Sequence, residues 1–413
     1  MKNFLVHTDE VKQEMFESIG VAGIEDLFSQ IPEKARMTSL DLGKALSEAE
    51  TQRRIKALSK KNNTDYVSFL GAGTYNKFVP ACISQVANRF EFLTAYTPYQ
   101  PEISQGTLQI MYEFQTMICR ITGMDISNAT MYDAATACAE SLLMAVRVSK
   151  KNKVLVSNRL NPEYVDVIKT YCWANEIELE LIEEIPADTA DCACVLVQNP
   201  DFYGEITQIN KPDCLLIVCV DVSSLGILKP PYDADIVVGD VQTLGIPMSF
   251  GGPHAGFMAC KEKFMRQLPG RLAGRTVDAD GKPAYCLTIQ TREQHIKREK
   301  ATSNICSNQA LMGLCATLYL TVMGEKGFRQ ASYLSSKMAH KLSEKLAQKG
   351  IKTLNKQFYN EFVIKVDDAE DVLACLKANG VIGGLQLDKN RILVATTELT
   401  TDEDIENYVE HVK

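Results

Sequence analysis

Short, continuous apolar runs recur through the middle of the chain, and they predict a buried sheet. Each run is rich in Val, Ile, Leu or Cys and is separated from the next by a loop or a helix-length segment such as Tyr164–Asn175. Strands that are apolar without alternation are buried on both faces, which is typical of mainly parallel sheets covered by helices. The predicted strands are Lys153–Ser157, Glu178–Ile182, Cys192–Gln198, Cys214–Asp221 and Asp235–Gly239.

The first 65 residues have a different pattern and predict a helical arm. Thr8 and the two acidic residues after it form a plausible N-cap, and apolar side chains recur at helical spacing at Val11, Met15 and Ile19. A second, more polar helix is predicted over Ser39–Lys60. Because the segment carries few large apolar residues per turn, we expect an arm, of the kind that often wraps a neighbouring subunit.

The pattern changes again after a long apolar helix that is predicted over Leu311–Gly324. Beyond it, short strands are mixed with amphipathic helices over Ala331–Lys349 and Ala369–Asn379, which predicts a small α+β domain. The predicted strands are Glu361–Val366, Val381–Leu387 and Arg391–Thr396. We therefore predict a helical arm (1–65), a large domain (66–322) and a small α+β domain (323–413).

The composition is ordinary for a globular protein, and it is useful mainly because it excludes some classes of protein. The 413 residues are 46% hydrophobic and 23% charged, and no apolar run approaches the roughly 20 residues that span a bilayer. The first residues do not form a charged segment followed by an apolar one, so we expect a cytoplasmic protein. The 13 cysteines include many in strand-like apolar runs, which favours buried free thiols over disulfides.

The net charge of −8 disfavours nucleic acid as a partner, but the charge is unevenly distributed. Lys261–Lys300 contains ten Lys and Arg against five Asp and Glu, whereas Asp367–Lys413 contains eleven acidic residues against four basic ones. A basic segment on an acidic protein could meet an acidic partner or a phosphate. It could equally be a solvated surface on which charges happen to cluster.

The stretch Val238–Phe257 indicates a cofactor loop that lacks its reactive residue. The strand Asp235–Gly239 ends in a polar turn, and a Gly-Gly-Pro-His turn then leads into a returning apolar run. Enzymes that use pyridoxal phosphate (PLP) hold it through a lysine near a strand end, with glycines that give the backbone room. Gln242 stands where that lysine is expected. The loop therefore predicts a catalytic fold that cannot hold the cofactor covalently.

Further polar residues are expected at the same edge of the sheet, because ligands bind at the carboxyl ends of strands in doubly wound sheets. Asp133 and Thr136 begin a helix of small residues, which could admit an anion, although a simple N-cap is favoured. Asp221 ends a strand and could hold a protonated ring nitrogen, or could be a turn aspartate. His254 is expected to cap its turn. The five histidines lack ligand spacing, so no metal site is predicted.

Two polar segments remain. Tyr96–Gln105 contains two prolines and predicts an extended, ordered loop. Thr291–Gln309 is dense in polar groups, and a helix there would place Arg292, His295 and Glu299 on related faces. Such a helix could be a salt-bridged surface element or part of an interface, and its position before a buried helix favours the interface.

Several long motifs in this chain belong together. They are GAGTYNKFVP (71–80), EFLTAYTPYQPEISQGTLQ (91–109), NATMYDAATACAES (128–141), FGGPHAGF (250–257), PGRLAGRT (269–276) and TREQHIKREKATSNICSNQAL (291–311). With them, the chain resembles the alpha subunits of the glycine cleavage system P-protein family, the two-subunit glycine dehydrogenases (decarboxylating), over essentially its whole length. It departs from the family at Lys77, where related sequences usually carry a small residue or histidine.

The resemblance implies an aminotransferase-like fold, PLP fold type I, and pairing with a homologous beta subunit, as α2β2. It also implies that the beta subunit carries the lysine that binds PLP. In that family the complete enzyme decarboxylates glycine and transfers the aminomethyl group to the lipoyl arm of the H-protein. The residues that would be the remains of a cofactor site in this chain are Asp133, Thr136, Asp221, Gln242 and His254.

On this basis the chain is expected to complete the active site of its partner, without catalytic residues of its own. The residues expected at that interface are Tyr75, Asn76, Tyr96, Tyr99 and Gln105. The residues expected to dock the H-protein are Arg266, Arg271 and Arg275. Two alternatives stay open: a stand-alone PLP enzyme that uses another lysine, and a non-catalytic structural or regulatory partner of a PLP enzyme.

Overall fold

The computed structural model of the chain describes residues 6–37, 39–93, 97–305 and 309–412. These residues form two compact units, which divide between Thr64 and Asp65. None of the helices in the described ranges combines the length and the apolar composition that a bilayer crossing requires.

The first unit is helical. Its helices are α1 Asp9–Ile19, α2 Ile24–Leu27 and α3 Glu48–Ser59. The Thr8 hydroxyl accepts a hydrogen bond from the Val11 amide, so the predicted N-cap of α1 is confirmed. The second predicted helix was placed too early: it begins only at Glu48, because Ser47 and Glu50 form a reciprocal capping box there. No described residue of this unit is buried.

The second unit contains the remaining elements. Its helices are α4 Ala81–Ala87, α5 Phe90–Leu93, α6 Gln105–Thr122, α7 Ala134–Ser149, α8 Pro162–Ala174, α9 Gln294–Lys297, α10 Ala310–Gln348, α11 Ala369–Ala378 and α12 Asp402–His411. Its strands are β1 Val67–Ser68, β2 Ile126–Ser127, β3 Lys153–Ser157, β4 Glu178–Ile182, β5 Cys194–Gln198, β6 Leu215–Asp221, β7 Ile236–Asp240, β8 Gly256–Cys260, β9 Leu272–Val277, β10 Pro283–Thr288, β11 Lys352–Thr353, β12 Glu361–Lys365, β13 Val381–Ile382, β14 Leu385–Gln386 and β15 Arg391–Ala395.

The main sheet has seven strands in the order β2-β8-β7-β6-β5-β3-β4. The strands from β7 to β4 are parallel, whereas β8 is antiparallel to β7 and β2 is antiparallel to β8. Leu142 of α7 and Ile168 of α8 pack over one face, and Phe114 of α6 and Tyr319 of α10 pack over the other. The predicted, mainly parallel sheet is therefore confirmed, and its inner strands are buried on both faces, whereas β4 at the edge is largely exposed.

A second sheet of four antiparallel strands has the order β11-β12-β15-β14. The predicted strand over 381–387 is instead two short strands, β13 and β14. Gly384 lies between them with φ +125°, and a Cβ there would overlap the Leu393 carbonyl. The two helices predicted on either side of residue 324 are joined in α10, and only Gly324 interrupts its helical conformation, with φ 59° and ψ −176°.

Between residues 269 and 309 the structure contains one element that the sequence analysis did not predict, and it lacks the long helix considered for Thr291–Gln309. The strands β9 and β10 form an antiparallel hairpin that the apolar pattern did not predict. The described part of Thr291–Gln309 contains only one turn of α-helix, α9, and short 3-10 segments. Regular helix cannot continue past Arg298, whose φ of 52° and ψ of −120° are non-helical.

In the loop predicted over 96–105, Pro101–Ile103 form a 3-10 turn and α6 already begins at Gln105.

Candidate functional site

The carboxyl ends of the central strands meet the start of α7 around a small cavity. We call this region the strand-end site. The cavity has a volume of about 40 Å³, which is room for a water molecule or two. Its lining residues are Gly73, Tyr75, Ala134, Tyr164, Gln198, Cys219, Val220, Asp221, Asp240, Gln242 and Thr243.

The first amides of α7 are already bonded within the chain. Asp133 is the N-cap, and its carboxylate accepts the Thr136 amide at 2.7 Å, while the Thr136 hydroxyl accepts the Asp133 amide at 3.2 Å. The Ala134 amide donates to the Asp240 carboxylate at 3.3 Å. Asp133 and Thr136 thus form a helix cap, as the capping interpretation expected. An anion at the start of α7 would have to displace the carboxylates of Asp133 and Asp240.

Asp221 ends β6 and lines the strand-end site. Its carboxylate accepts hydrogen bonds from the Ser223 amide at 2.9 Å and the Ser223 hydroxyl at 2.8 Å. Burial raises the pKa of the Asp221 carboxyl, and the positive charge of Lys77 and the Ser223 hydrogen bonds oppose this rise.

Gln242 is the residue that stands where a PLP lysine was expected, and only 1% of its surface is exposed. Its Oε1 accepts the Tyr75 amide at 3.0 Å, and its Nε2 donates to the Tyr75 carbonyl at 3.0 Å and to the Ile246 carbonyl at 2.8 Å. Gln242 therefore pairs with the backbone of Tyr75 much as a neighbouring strand would, and both polar atoms of its side-chain amide are engaged.

A buried carboxylate, Glu361 at the start of β12, holds the same segment from another side. It accepts the Ala72 amide at 2.6 Å and the Tyr75 hydroxyl at 2.8 Å. Burial is the main cause that raises the pKa of Glu361 to about 7, and the two hydrogen bonds act in the opposite direction. No local sequence signal marks Glu361, because these partners lie 289 and 286 residues away in the chain.

Lys77 points into the same interior. Its ammonium donates to the Ser335 hydroxyl at 2.9 Å and to the Glu398 carboxylate at 3.2 Å. Burial disfavours the charged form of Lys77. Electrostatic interactions with Tyr359, Glu398 and Asp221 outweigh this effect and raise the pKa of Lys77. Lys77 thus stays protonated beside Asp221, and a protonated amine is a poor nucleophile.

His254 joins the strand-end site to the segment that contains Tyr75. Its Nδ1 lies 3.2 Å from the Asp240 carboxylate and its Nε2 lies 3.3 Å from the Thr74 hydroxyl. The hydrogen bond with Asp240 raises the pKa of His254, and burial opposes it. The structure therefore brings together Asp133, Thr136, Asp221, Gln242 and His254.

Within the described part of the chain, no group of three His, Cys, Asp or Glu side chains could hold a metal ion.

Comparison with known proteins identifies the family. The sequence model of the glycine cleavage system P-protein family matches residues 2–412. The probable glycine dehydrogenase (decarboxylating) subunit 1 of Geobacillus thermodenitrificans is 44% identical, over 99% of this chain and 98% of that protein. The protein of the same name from Listeria monocytogenes is also 44% identical, over 98% and 97%. The chain belongs to the glycine cleavage system P-protein family.

Solved structures agree on the fold. A crystal structure of glycine decarboxylase (P-protein) in an inhibitor-bound form matches with a TM-score of 0.89 and 40% identity, over 99% of both chains. An alanine–glyoxylate aminotransferase from Nostoc sp. matches with a TM-score of 0.58 over 85% of this chain and 95% of that one, and at 14% identity this likeness concerns the fold alone. The chain has the aminotransferase-like architecture of PLP fold type I.

The predicted interface residues do not all contact the strand-end site. Tyr75 lines it, and Asn76 next to Tyr75 is exposed. Gln105 instead pairs with Tyr285 on the hairpin, accepting its amide at 2.9 Å and donating to its carbonyl at 2.8 Å. The Tyr99 hydroxyl accepts a hydrogen bond from Arg271 at 3.2 Å. Tyr96 lies outside the described residues.

The three arginines that were expected to dock the H-protein differ in exposure. Arg266 and Arg275 are exposed, but Arg271 is 2% exposed. The Arg271 guanidinium stacks over the Tyr99 ring, at 5.5 Å from its centroid, and lies 4.0 Å from Glu293. Arg271 therefore cannot act as a surface charge of this chain. The local basic composition could not reveal this, because burial depends on the tertiary neighbours of each arginine.

Proposed function

We propose that this chain is the alpha subunit of a two-subunit glycine dehydrogenase (decarboxylating), and that it completes the active site of a homologous subunit. In this proposal the partner holds PLP, the assembly is α2β2, and the lipoyl arm of the H-protein accepts the aminomethyl group. A cytoplasmic location is part of the proposal. The observation that carries it is Gln242, whose amide is bonded to the backbone at the strand end where a PLP lysine was expected.

The residues at the strand-end site do not fit a covalently held PLP. Among the described residues that line the cavity there is no lysine, and an amide nitrogen such as that of Gln242 cannot form a Schiff base. The cavity of about 40 Å³ is far smaller than the roughly 300 Å³ at which ligand pockets usually begin. Asp221, which could hold a ring nitrogen, instead has the charge of Lys77 beside it. PLP bound on the partner would supply the electron sink that decarboxylation of an amino acid needs.

The role proposed for this chain is to position groups at the subunit interface. Rigid placement of groups around a reacting molecule lowers the entropic part of a barrier, without any covalent step by the groups themselves. The exposed Asn76 beside the buried Tyr75 suits this role, because the backbone that carries it is held by buried side chains. The second segment proposed for the interface is the one that carries Tyr96, Tyr99 and Gln105.

The non-catalytic alternative is favoured by one observation: the side chains of Asp133, Asp221 and Gln242 at the strand-end site are hydrogen-bonded within the chain itself. A chain retained only as a scaffold would also have such a site. The proposed positioning role and a scaffold role differ in their effect on turnover. If the chain is only a scaffold, its exposed interface residues can be changed without altering the turnover number of the saturated complex.

The experiment that tests the proposed function uses the purified chain with and without the glycine dehydrogenase subunit 2 of the same organism. We expect visible PLP absorbance and glycine–CO2 exchange only when both chains are present. After borohydride reduction, the pyridoxyl label should be found on subunit 2. A label on a lysine of this chain, or exchange by this chain alone, would contradict the proposal and favour a stand-alone PLP enzyme.

A further inference from the structure

The segment Gly71–Phe78 has no regular secondary structure after its initial turn, yet its side chains alternate strictly between inside and outside at its end. Tyr75 and Lys77 are buried, whereas Asn76 and Phe78 are exposed, Phe78 to 44%. We call Asn76 and Phe78 the outer edge of this loop. An extended segment places successive side chains on opposite faces. The contacts that hold Tyr75 and Lys77 inside therefore also fix the direction in which the side chains of the outer edge point.

Three buried side chains hold the loop, and each contacts its backbone. The Gln242 amide pairs with the amide and carbonyl of Tyr75, both at 3.0 Å. Glu361 accepts the Ala72 amide at 2.6 Å. Glu398 accepts the Phe78 amide at 2.9 Å and also bonds Lys77. Gln242 follows β7 of the main sheet, whereas Glu361 begins β12 and Glu398 follows β15 of the second sheet.

The loop is therefore fastened by residues next to both the seven-stranded sheet and the four-stranded sheet. Its first glycine, Gly71, has no room for a side chain, because a Cβ there would overlap Glu361, Ala395 and the Tyr75 ring. Fastening a loop in this way fixes backbone dihedrals that would otherwise be free, which costs conformational entropy during folding. A surface that is ordered before binding loses less entropy when a partner binds it.

We propose that Gln242 is a positioning residue, which fixes the outer edge of Gly71–Phe78 as a contact surface for the partner subunit. The inference rests on the proposed function for the identity of that partner. The relatives that match this chain almost end to end are named subunit 1, which implies a second subunit beside it. The segment that carries the outer edge is linked to the strand-end site, because Thr74 lies 3.3 Å from His254 and His254 lies 3.2 Å from Asp240.

The outer edge has the chemistry of an interface core. Large aromatic side chains that are part-exposed on a rigid backbone are enriched at such positions, and an adjacent amide can supply hydrogen bonds. In this proposal Gln242 uses the strand end that holds a cofactor lysine in related folds, and it uses that position to shape a surface instead.

The chain contains a matched control for Gln242. Gln115 of α6 is also buried, and it pairs with a backbone in the same way: it accepts the Ala273 amide at 2.9 Å and donates to the Ala273 carbonyl at 3.1 Å. Gln242→Met and Gln115→Met each remove a buried pairing and keep the length of the side chain, so both should lower thermal stability. Only Gln242→Met should disturb the outer edge.

The experiment measures the dissociation constant of this full chain and subunit 2 by analytical ultracentrifugation or surface plasmon resonance, without glycine. We expect Gln242→Met to weaken the complex about tenfold or more, as expected for an interface core residue that is displaced, and Gln115→Met to change it less than about twofold. Phe78→Ala and Asn76→Ala should weaken it without lowering the melting temperature.

A double-mutant cycle decides whether Gln242 acts through the edge. In the Gln242→Met background, Phe78→Ala should have little further effect, because residues that act through one another are not additive. The inference is overturned if Gln242→Met leaves the dissociation constant unchanged, if the two effects add fully, or if the variants change self-association of this chain instead. If Gln242→Met does not fold, Gln242→Glu keeps the acceptor for Tyr75 and removes both donors. Failure of the proposed function would be seen separately, as absent glycine–CO2 exchange in the wild-type pair.

Discussion

At the residue scale, Glu361 is a carboxyl that the fold uses in its interior, and its titration should be visible in the stability of the chain. It holds Ala72 and Tyr75 by hydrogen bonds, and burial raises its pKa from 4.5 to about 7. A raised pKa means that the folded state binds its proton more tightly than the unfolded state does. The stabilisation is therefore complete below the unfolded value and is lost as the pH rises through about 7.

The first prediction follows from this sign. Between pH 5 and pH 8, loss of the Glu361 proton should lower the free energy of unfolding by about 2 kcal/mol as the pH rises. Glu361→Gln should remove that part of the slope, which urea unfolding at several pH values would measure. Glu406→Gln is the control and should keep the wild-type slope, because the Glu406 side chain on α12 is 67% exposed. An unchanged slope in Glu361→Gln would show that Glu361 does not titrate in this range.

The second prediction concerns Gln242. Restoring a lysine by Gln242→Lys should not create a PLP site, because the cavity holds only about 40 Å³ and Lys77 already supplies a positive charge near Asp221. The substitution also breaks the pairing with Tyr75 and should lower the melting temperature. Absorbance after mixing with PLP and borohydride labelling would test it, with subunit 2 as the positive control. A pyridoxyl group trapped at position 242 would contradict the prediction.

At the scale of elements, close approach of backbones decides where glycine is required. Gly256 begins β8, and a Cβ on it would overlap the Asp133 carbonyl at the start of α7. The strand and the helix cap therefore pack backbone against backbone beside the strand-end site. Gly106 in the first turn of α6 is different, since a Cβ there would meet nothing within 4 Å.

The third prediction compares these two glycines. Gly256→Ala should lower the free energy of unfolding by about 2 kcal/mol, because rigid backbone atoms must move apart. Gly106→Ala should leave stability unchanged or raise it by up to about 1 kcal/mol, since alanine favours helix. Chemical denaturation of both variants is the measurement. Equal stability of the two variants would mean that β8 and α7 can separate at no cost.

At the scale of the whole molecule, charge is the feature that extends beyond any one site. The chain carries a net charge of −8 but exposes Arg266 and Arg275 within a basic segment. Exposed charges of this kind steer association with an oppositely charged partner and have little effect on stability. Arg271, although it lies between them in sequence, is interior and belongs to the packing of the hairpin.

The fourth prediction tests the docking of the H-protein in the assembled complex. Arg266→Glu and Arg275→Glu together should raise the KM for lipoylated H-protein at least about threefold at low ionic strength, and less at high salt, because exposed charges are screened. Lys169→Glu on α8 is a control of the same charge change, on a side chain that is 54% exposed. Steady-state glycine decarboxylation at several salt concentrations measures both. A KM that stays at the wild-type value at low salt would move the docking site elsewhere.

The sequence by itself determined the elements whose signals are local. The strands β3, β5, β6 and β7 are runs of adjacent apolar residues, and the caps at Thr8 and Asp133 bond to amides three residues away, so each could be predicted from a short window. The long motifs also carried the family, and with it the fold. The hairpin β9–β10 was missed because its outer half is exposed and has no apolar run.

Only the tertiary structure decided what the polar residues do. Gln242 and Tyr75 are 167 residues apart in the chain, Tyr75 and Glu361 are 286 apart, and Lys77 and Glu398 are 321 apart. Hydrogen bonds act over about 3 Å, so such pairs form only after the seven-stranded and the four-stranded sheet have packed with the segment that contains Tyr75 and Lys77. The same holds for Arg271 and Arg292, which local composition assigns to the surface and which Tyr99 and backbone carbonyls accommodate inside. Local pattern determined the scaffold, and long-range contact decided the site.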